Sequence, residues 1–214
     1  MSRICVTALR VSRVTGRMLR VNPSLDPQFA ALDLPAIQDA ALSTADRLRA
    51  SYACVRVHQI KTRVLHVRDL QVDTAVDHRD IGVGVRVIVD GAWGFAATSD
   101  LSPNAVAMAA ERACKLAARC AVLPGAAVRL ANEPVAEGSH FSSYRIDPFE
   151  MSVADMVNRL QDRCALMSAL DHTSASLECA KETVFLADLA GARIVQQRVR
   201  IHPVYTGVRV TEHG

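Results

Sequence analysis

The chain has 214 residues, half of them hydrophobic and 4% aromatic, with a formal net charge of +3; this length and an aliphatic composition suit one or two globular domains. No run of eighteen apolar residues occurs, which excludes a membrane-spanning helix read from hydropathy. Residues 1–20 hold five arginines and no acid, leaving 20 basic against 22 acidic side chains elsewhere, so the body is not a basic surface and a nucleic-acid partner would have to rest on the tail alone.

In MSRICVTALRVSRVTGRMLR the arginines interrupt any apolar core that a secretory signal would need. Residues 1–25 read as an Arg-rich, poorly ordered leader, with an organelle transit peptide as the alternative. Asp33 ahead of Pro35 is an N-cap followed by a first-turn proline, and Ile37, Ala41, Ala45 and Leu48 recur at helical spacing; together they predict a helix over 34–48. From Tyr52 the period becomes two: YACVRVHQ, TRVLHVRD and QVDTAVD, separated by HQIK and RDLQ, predict a meander of three short antiparallel strands.

DIGVGVRVIVDGAWGFAAT, residues 80–98, predicts a hairpin, because Asp90-Gly91 suits the two positive φ values of a type I′ turn. Ile81, Val83, Val85, Val87 and Val89 point to one face. GVG continues into strand rather than opening a helix, and neither G-x-G-x-x-G nor G-K-S/T follows, which excludes a phosphate cradle. These glycines instead predict close approach of another backbone or a large side chain. Trp93 and Phe95 share one face of the returning strand; sheet-core packing is the expected role, and a peptide or partner surface formed with Arg86 is the alternative.

Ser102 and Pro103 open a second helix running to about Ala121, with Val106, Ala109, Ala110, Ala113, Leu116, Ala117 and Cys120 as its apolar stripe. Residues 122–150 read as a connector with a short strand at 127–131. Ser152 and Asp155 stand in capping-box relation before a third helix over 152–169. TSASLECA, ETVFLADL and ARIVQQRVRIHPVYTGVRV then repeat the earlier order; Lys61 and Lys181, both read as turn residues, lie 120 positions apart. An internal repeat of 34–98 and 152–210 follows from this. The expected fold class is α/β, mixed α+β: two helix-plus-antiparallel-meander units packed as one domain over 26–214, with three main helices on a mixed sheet.

The chemistry is sparse. Six cysteines show no C-x-x-C, and seven histidines show neither H-x-x-x-H nor H-E-x-x-H; no catalytic and no metal-ligating residue is assigned. Scattered thiols of this kind suit a reducing compartment, hence the cytoplasm. His58 and His66 read as half-exposed residues of separate strands, and Asp73, Asp77 and Asp80 as solubilising acids on a strand edge.

The order PQFAALDL, ASYACVRVHQIKTRVLHVRD, DIGVGVRVIVDGAWGFAATSDLSPNAVAMAAERA, YRIDPF and FLADLAGARIVQQRVRIHP resembles the N-terminal domain of the TldD/PmbA family, once described as modulators of DNA gyrase. It is more similar to the TldD-type branch, and the likeness covers residues 26–210. The resemblance implies a mixed α/β N-terminal domain ahead of a catalytic domain that uses zinc, on an H-E-x-x-x-H helix and a later cysteine, to cleave small or unfolded peptides. It also implies homodimers, or heterodimers of the two branches. Glu212-His213 has the reverse order and no second histidine, so no ligand is carried over and zinc is expected only in a full-length member. The expectation is therefore a non-catalytic N-terminal portion assisting substrate access and dimerisation. The alternatives are a stand-alone partner- or peptide-binding module, or a truncated remnant without activity. Two positions depart from the family pattern. Cys54 stands where an acid is common. Leu70 stands where a turn glycine is usual, at a cost of about 1 kcal/mol if φ is positive there.

Overall fold

A computed structural model describes residues 24–125, 127–131 and 133–211; most of the Arg-rich leader and Glu212-His213 lie outside the described residues. In chain order the elements are α1 (Pro27–Ala30), α2 (Leu34–Arg47), β1 (Tyr52–Arg68), β2 (Gln71–Val89), β3 (Ala92–Thr98), α3 (Pro103–Cys120), β4 (Glu137–Phe141), α4 (Val153–Ala165), β5 (His172–Asp188) and β6 (Arg193–Val208). The strands make one sheet in the order β3-β2-β1-β5-β6-β4, antiparallel throughout except that β4 runs parallel to β6. The class is mixed α+β, as the alternation of helical and strand periods implies.

The three main helices start where the side chains say they should. Asp33, Ser102 and Ser152 each accept a backbone N–H from three residues on, at 3.1, 3.3 and 3.0 Å, satisfying a donor the first turn leaves orphaned. The third helix ends at Ala165, four residues earlier than its pattern suggests, because Met167, Ser168 and Leu170 close tighter turns.

The short-strand meander is not what forms. HQIK is no turn: β1 passes straight through it for 17 residues, and β2 likewise runs 19 residues through His78-Arg79-Asp80. β5 and β6 absorb the pieces read separately in the second half. His58 and His66 therefore belong to one strand, and Lys61 and Lys181 stand in mid-strand. Pairing overrides local pattern here, since every residue of β1 from Cys54 to Arg68 has cross-strand partners on both sides. Residues 127–131 form no strand; Val128 donates one bond to the Gly91 carbonyl at 2.8 Å. The strand of this connector is β4, unmarked by any hydrophobic alternation in EGSHF. Pro203 is tolerated within β6 because β4 covers only Arg193–Gln197, leaving the proline on a free edge.

β1 alternates cleanly: Ala53, Val55, Val57, Gln59, Arg63, Leu65 and Val67 are buried on the face that the helices cover, and the even-numbered residues face the other way. The larger apolar core joins α1, α2 and α3 to this face through Phe29, Ile37, Val85, Val106 and Phe185. A smaller one joins α4 to its far end through Leu65, Val67, Met156, Leu160 and Cys179. Strand pairing also has an internal two-fold relation. Tyr52↔Ile88 and His66↔Thr74 of β1–β2 correspond, 120 positions on, to His172↔Val208 and Leu186↔Ile194 of β5–β6. The axis passes where Lys61 pairs with Lys181.

Two backbone positions set tests. Gly94 lies under α3, where an added Cβ would stand 2.0 Å from the Ala113 carbonyl oxygen and 2.9 Å from Ala117 Cβ. Gly94→Ala will therefore push α3 off the sheet and destabilise the fold by about 1–3 kcal/mol, read from the urea midpoint. The β1–β2 turn holds Asp69 at φ 45° and Leu70 at φ 64°, left-handed values that an L side chain resists. Gln161 binds only the Leu70 carbonyl there, at 2.8 Å. Leu70→Gly keeps that bond and will stabilise the protein by roughly 0.5–1 kcal/mol in the same titration.

Candidate functional site

Two groupings of side chains stand out. The first is the surface that the sequence places at Arg86, Trp93 and Phe95. β2 and β3 pair Arg86 with Phe95 and Ile88 with Trp93, so all four project from the helix-free face. Trp93 is 39% exposed and Phe95 55%; core packing, the expected role of this aromatic pair, is overturned because every helix occupies the opposite face. The Arg86 guanidinium lies 5.6 Å over the Trp93 ring, a cation–π arrangement. Tyr52 meets the same ring edge-on at 5.7 Å and 87°. The Phe95 ring lies against Gly84, where an added Cβ would come within 3.0 Å of it, which accounts for that glycine. Tyr52 is pushed up to about 12 by burial and then by Cys54 and Asp188, and burial also raises the Cys54 thiol. Nothing here is poised as an acid, base or nucleophile. What the grouping offers is a rigid aromatic platform beside the uncharged edge strand AWGFAAT.

The second grouping crosses the core face between the two apolar clusters. Long strands bring Gln59, Lys61 and Arg63 of β1, Lys181 and Thr183 of β5, and Gln197 of β6 into one polar layer. Arg63 is clamped by Asp77, with Nε and Nη2 each 2.7 Å from a carboxylate oxygen, and its Nη1 donates to the Pro148 and Met151 carbonyls at 3.0 and 2.8 Å. Phe149 stacks between Arg63 and Lys181, 5.7 and 5.6 Å from its centroid. Asp26 takes Lys61 Nζ on Oδ2 at 2.7 Å and the Gln28 and Phe29 amides on Oδ1. Asp147 does the same for Lys181 on Oδ2 and for the Phe149 amide on Oδ1, at 2.9 Å for the amide. These two Asp-Pro corners face one cleft of about 500 Å³, lined also by Ser24, Tyr144 and Glu150.

Neither grouping was fully legible beforehand. The aromatic platform was named from the sequence; the Asp26–Lys61 and Asp147–Lys181 pairs were not. The available signal was the double occurrence of Asp-Pro, at 26–27 and 147–148, each ahead of a phenylalanine. His58, His66, His78 and His172 each meet one carboxylate, at 3.8, 2.7, 2.7 and 3.1 Å, and Asp77 serves Arg63 rather than standing as a solubilising edge acid. Among the described residues no three His, Cys, Asp or Glu side chains gather as a metal site. No helix among the described residues is long and apolar enough to cross a membrane.

Residues 53–117 match the family described as PmbA/TldA metallopeptidase domain 1. Among solved structures the fold is similar to a Bacteroides thetaiotaomicron protein described as a candidate modulator of DNA gyrase, at 12% identity and TM-score 0.67 over 84% of this chain and 42% of that one. It is similar to TldE from Thermococcus kodakarensis at 15% identity and TM-score 0.61, over 84% and 40%. A Thermotoga maritima protein also described as a candidate DNA gyrase modulator matches at 13% identity and TM-score 0.55, over 80% and 42%. Such identities show a shared fold, and the chain spans about two fifths of the length of these structures. No curated protein matches.

The polar layer makes stability depend on acid pH. Burial would raise the Asp26 carboxyl, but the Lys61 ammonium and neighbouring N–H donors outweigh it and hold the group below its ordinary value. A depressed folded value means that the stabilisation is present above the ordinary carboxylate range and is lost as pH falls through the folded value. Asp26→Asn keeps the cap but unpairs Lys61; it will cost roughly 1–3 kcal/mol at pH 7 and flatten the loss of stability below about pH 4, seen in urea midpoints measured from pH 3 to 7.

Proposed function

We propose that this chain, whose residues 53–117 match the family described as PmbA/TldA metallopeptidase domain 1, is the non-catalytic N-terminal portion of a TldD-like zinc metallopeptidase acting on small or unfolded peptides. Its part is to present substrate and to pair with a second subunit, while the metal-bearing machinery belongs to a further domain of the longer protein. The observation that carries this reading is the aromatic platform beside the β3 edge. Large apolar rings left in water, next to a strand edge without a single charge, are what natural sheets otherwise avoid. A peptide or a partner strand laid along β3 would pair with its free backbone groups and cover Trp93 and Phe95. The described cysteines, none of them in a disulfide, support a reducing, cytoplasmic setting.

The same edge favours a second reading, a stand-alone module that binds a partner subunit or peptide without belonging to a catalytic assembly. Both readings make the platform the contact, and they differ in whether a zinc-bearing domain must be present for function.

Incubated with zinc and an unstructured peptide, the purified chain is expected to give no chelator-sensitive cleavage. Mixed with a PmbA-type subunit or the same peptide, it is expected to bind, and the double variant Trp93→Ala, Phe95→Ala to bind at least tenfold more weakly with an unchanged circular dichroism spectrum. Robust chelator-sensitive cleavage by the chain alone overturns the non-catalytic reading. A strictly monomeric chain that binds neither partner nor peptide overturns the interaction role.

A further inference from the structure

The cleft between the two Asp-Pro corners has an imbalance that a purely structural ion-pair layer would not need. Lys61 and Lys181 are direct cross-strand partners, an arrangement that holds their Cβ atoms about 5 Å apart and sets like charges against each other. Each ammonium carries three donors. Each donates one hydrogen bond, to Asp26 and Asp147 respectively, which leaves four N–H groups in the layer. The carboxylates are nearly full by contrast. Asp26 accepts from two backbone amides and Lys61, and Asp147 from one amide, Lys181 and the Tyr144 hydroxyl. With about four lone-pair sites per carboxylate, two remain. Lys181 is only 6% exposed, so bulk water is a poor partner for its remaining hydrogens, while the cleft beside it is roomy.

Donors in excess, held over a cavity, call for an acceptor. A cation is disfavoured, since it would lie beside two ammonium groups and meet carboxylates already capped by amides. The acceptor that suits the geometry is itself two-fold symmetric, because the two lysines are related by the internal axis between β1 and β5. A carboxylate has this form, with one oxygen available to each ammonium.

We propose that the cleft between the Asp26–Lys61 and Asp147–Lys181 pairs binds a carboxylate on the internal two-fold, its two oxygens shared between the two lysines. The free C-terminus of a short peptide and a small carboxylic acid both present this group. Arg145 and Glu150 at the exposed rim supply one charge of each sign, so neither adds a net charge that would favour or repel the rest of such a ligand. The cleft lies on the helix-covered face, opposite the Trp93 platform, and carries this site whether or not the platform binds a partner.

The 214-residue chain is titrated with triglycine, triglycinamide and acetate, followed by calorimetry and by amide NMR shifts. Triglycine is expected to bind and triglycinamide not, with the largest shifts at the amides of Gln28, Phe29 and Phe149. Acetate binding as tightly as triglycine identifies a small acid as the ligand, and weaker acetate binding identifies a peptide C-terminus. Lys61→Gln should weaken triglycine at least tenfold. Because that variant leaves Asp26 without its ion-pair partner, the double variant Asp26→Asn, Lys61→Gln, which removes the pair together, should show the same loss while keeping a folded spectrum. Equal response to triglycine and triglycinamide, no binding of triglycine or acetate, or undiminished binding by the folded double variant, overturns the proposal.

Discussion

The pairing of Lys61 with Lys181 is the constraint around which the rest of the molecule is arranged. Two strands of 17 residues, β1 and β5, cross at that point over 15 consecutive register positions, so the sheet cannot bend or break there to expose the lysines. Both side chains must enter the helix-covered face, and the hydrophobic core must part to receive them. One apolar cluster therefore gathers α1, α2 and α3 at one end of the face and a second gathers α4 at the other. The polar layer between them is closed by the two Asp-Pro corners, each bringing an aspartate onto a lysine. Buried ion pairs contribute little net stability, because desolvation offsets attraction, yet removing one partner is costly. The layer is better understood as fixing register: a slip of β1 by one residue would turn Lys61 and Arg63 to the open face, away from Lys181, and bury their even-numbered neighbours instead.

That register has consequences at the far edge. The alternation that points Val83, Val85 and Val87 at the helices also points Gly84, Arg86 and Ile88 away from them. Across β3 it leaves Gly94 inward and Trp93 and Phe95 outward. Gly94 lets α3 approach until the helix backbone touches the strand, and Gly84 leaves room for the Phe95 ring beside it. Glycines inside a strand normally weaken it; in this hairpin they convert the two faces into a close helix contact on one side and an aromatic shelf on the other.

The sequence makes some of this visible and hides the rest for physical reasons. Caps at Asp33, Ser102 and Ser152 and the Asp90-Gly91 turn were legible because they depend on a few adjacent residues, whereas Leu70 stood out only through the family resemblance. The shared face of Trp93 and Phe95 was legible too, though not that it would be exposed, since alternation says which residues point together and not which face acquires helices. The continuity of β1 was hidden by HQIK, residues 58–61, and that of β2 by His78-Arg79-Asp80. Polar groups in mid-strand read as turns until their cross-strand partners are known, 120 residues away for Lys61 and on β1 for His78-Arg79-Asp80. β4 was hidden more completely, as EGSHF has no alternation and is a strand only because β6 offers it an edge. The Asp26 and Asp147 corners lie 35 and 34 residues from their lysines, a distance at which no local pattern helps.

The internal two-fold is complete at the centre of the sheet and absent at its margins. β1–β2 and β5–β6 superpose in register, with helices α2 and α4 in equivalent order, but only the first half continues into β3 and α3, and the margin beyond β6 is instead the parallel strand β4. The segment matching PmbA/TldA metallopeptidase domain 1, residues 53–117, includes Lys61 and the whole β2–β3–α3 margin and stops short of Asp147 and Lys181. The symmetric part and the asymmetric part therefore supply different things. Symmetry places two equivalent ammonium groups around a shared cleft, which no single helix–hairpin unit could do alone. Asymmetry supplies the aromatic shelf at the β3 margin alone, and for the docking role proposed above a shelf at one margin would define one direction where two equivalent ones would define none.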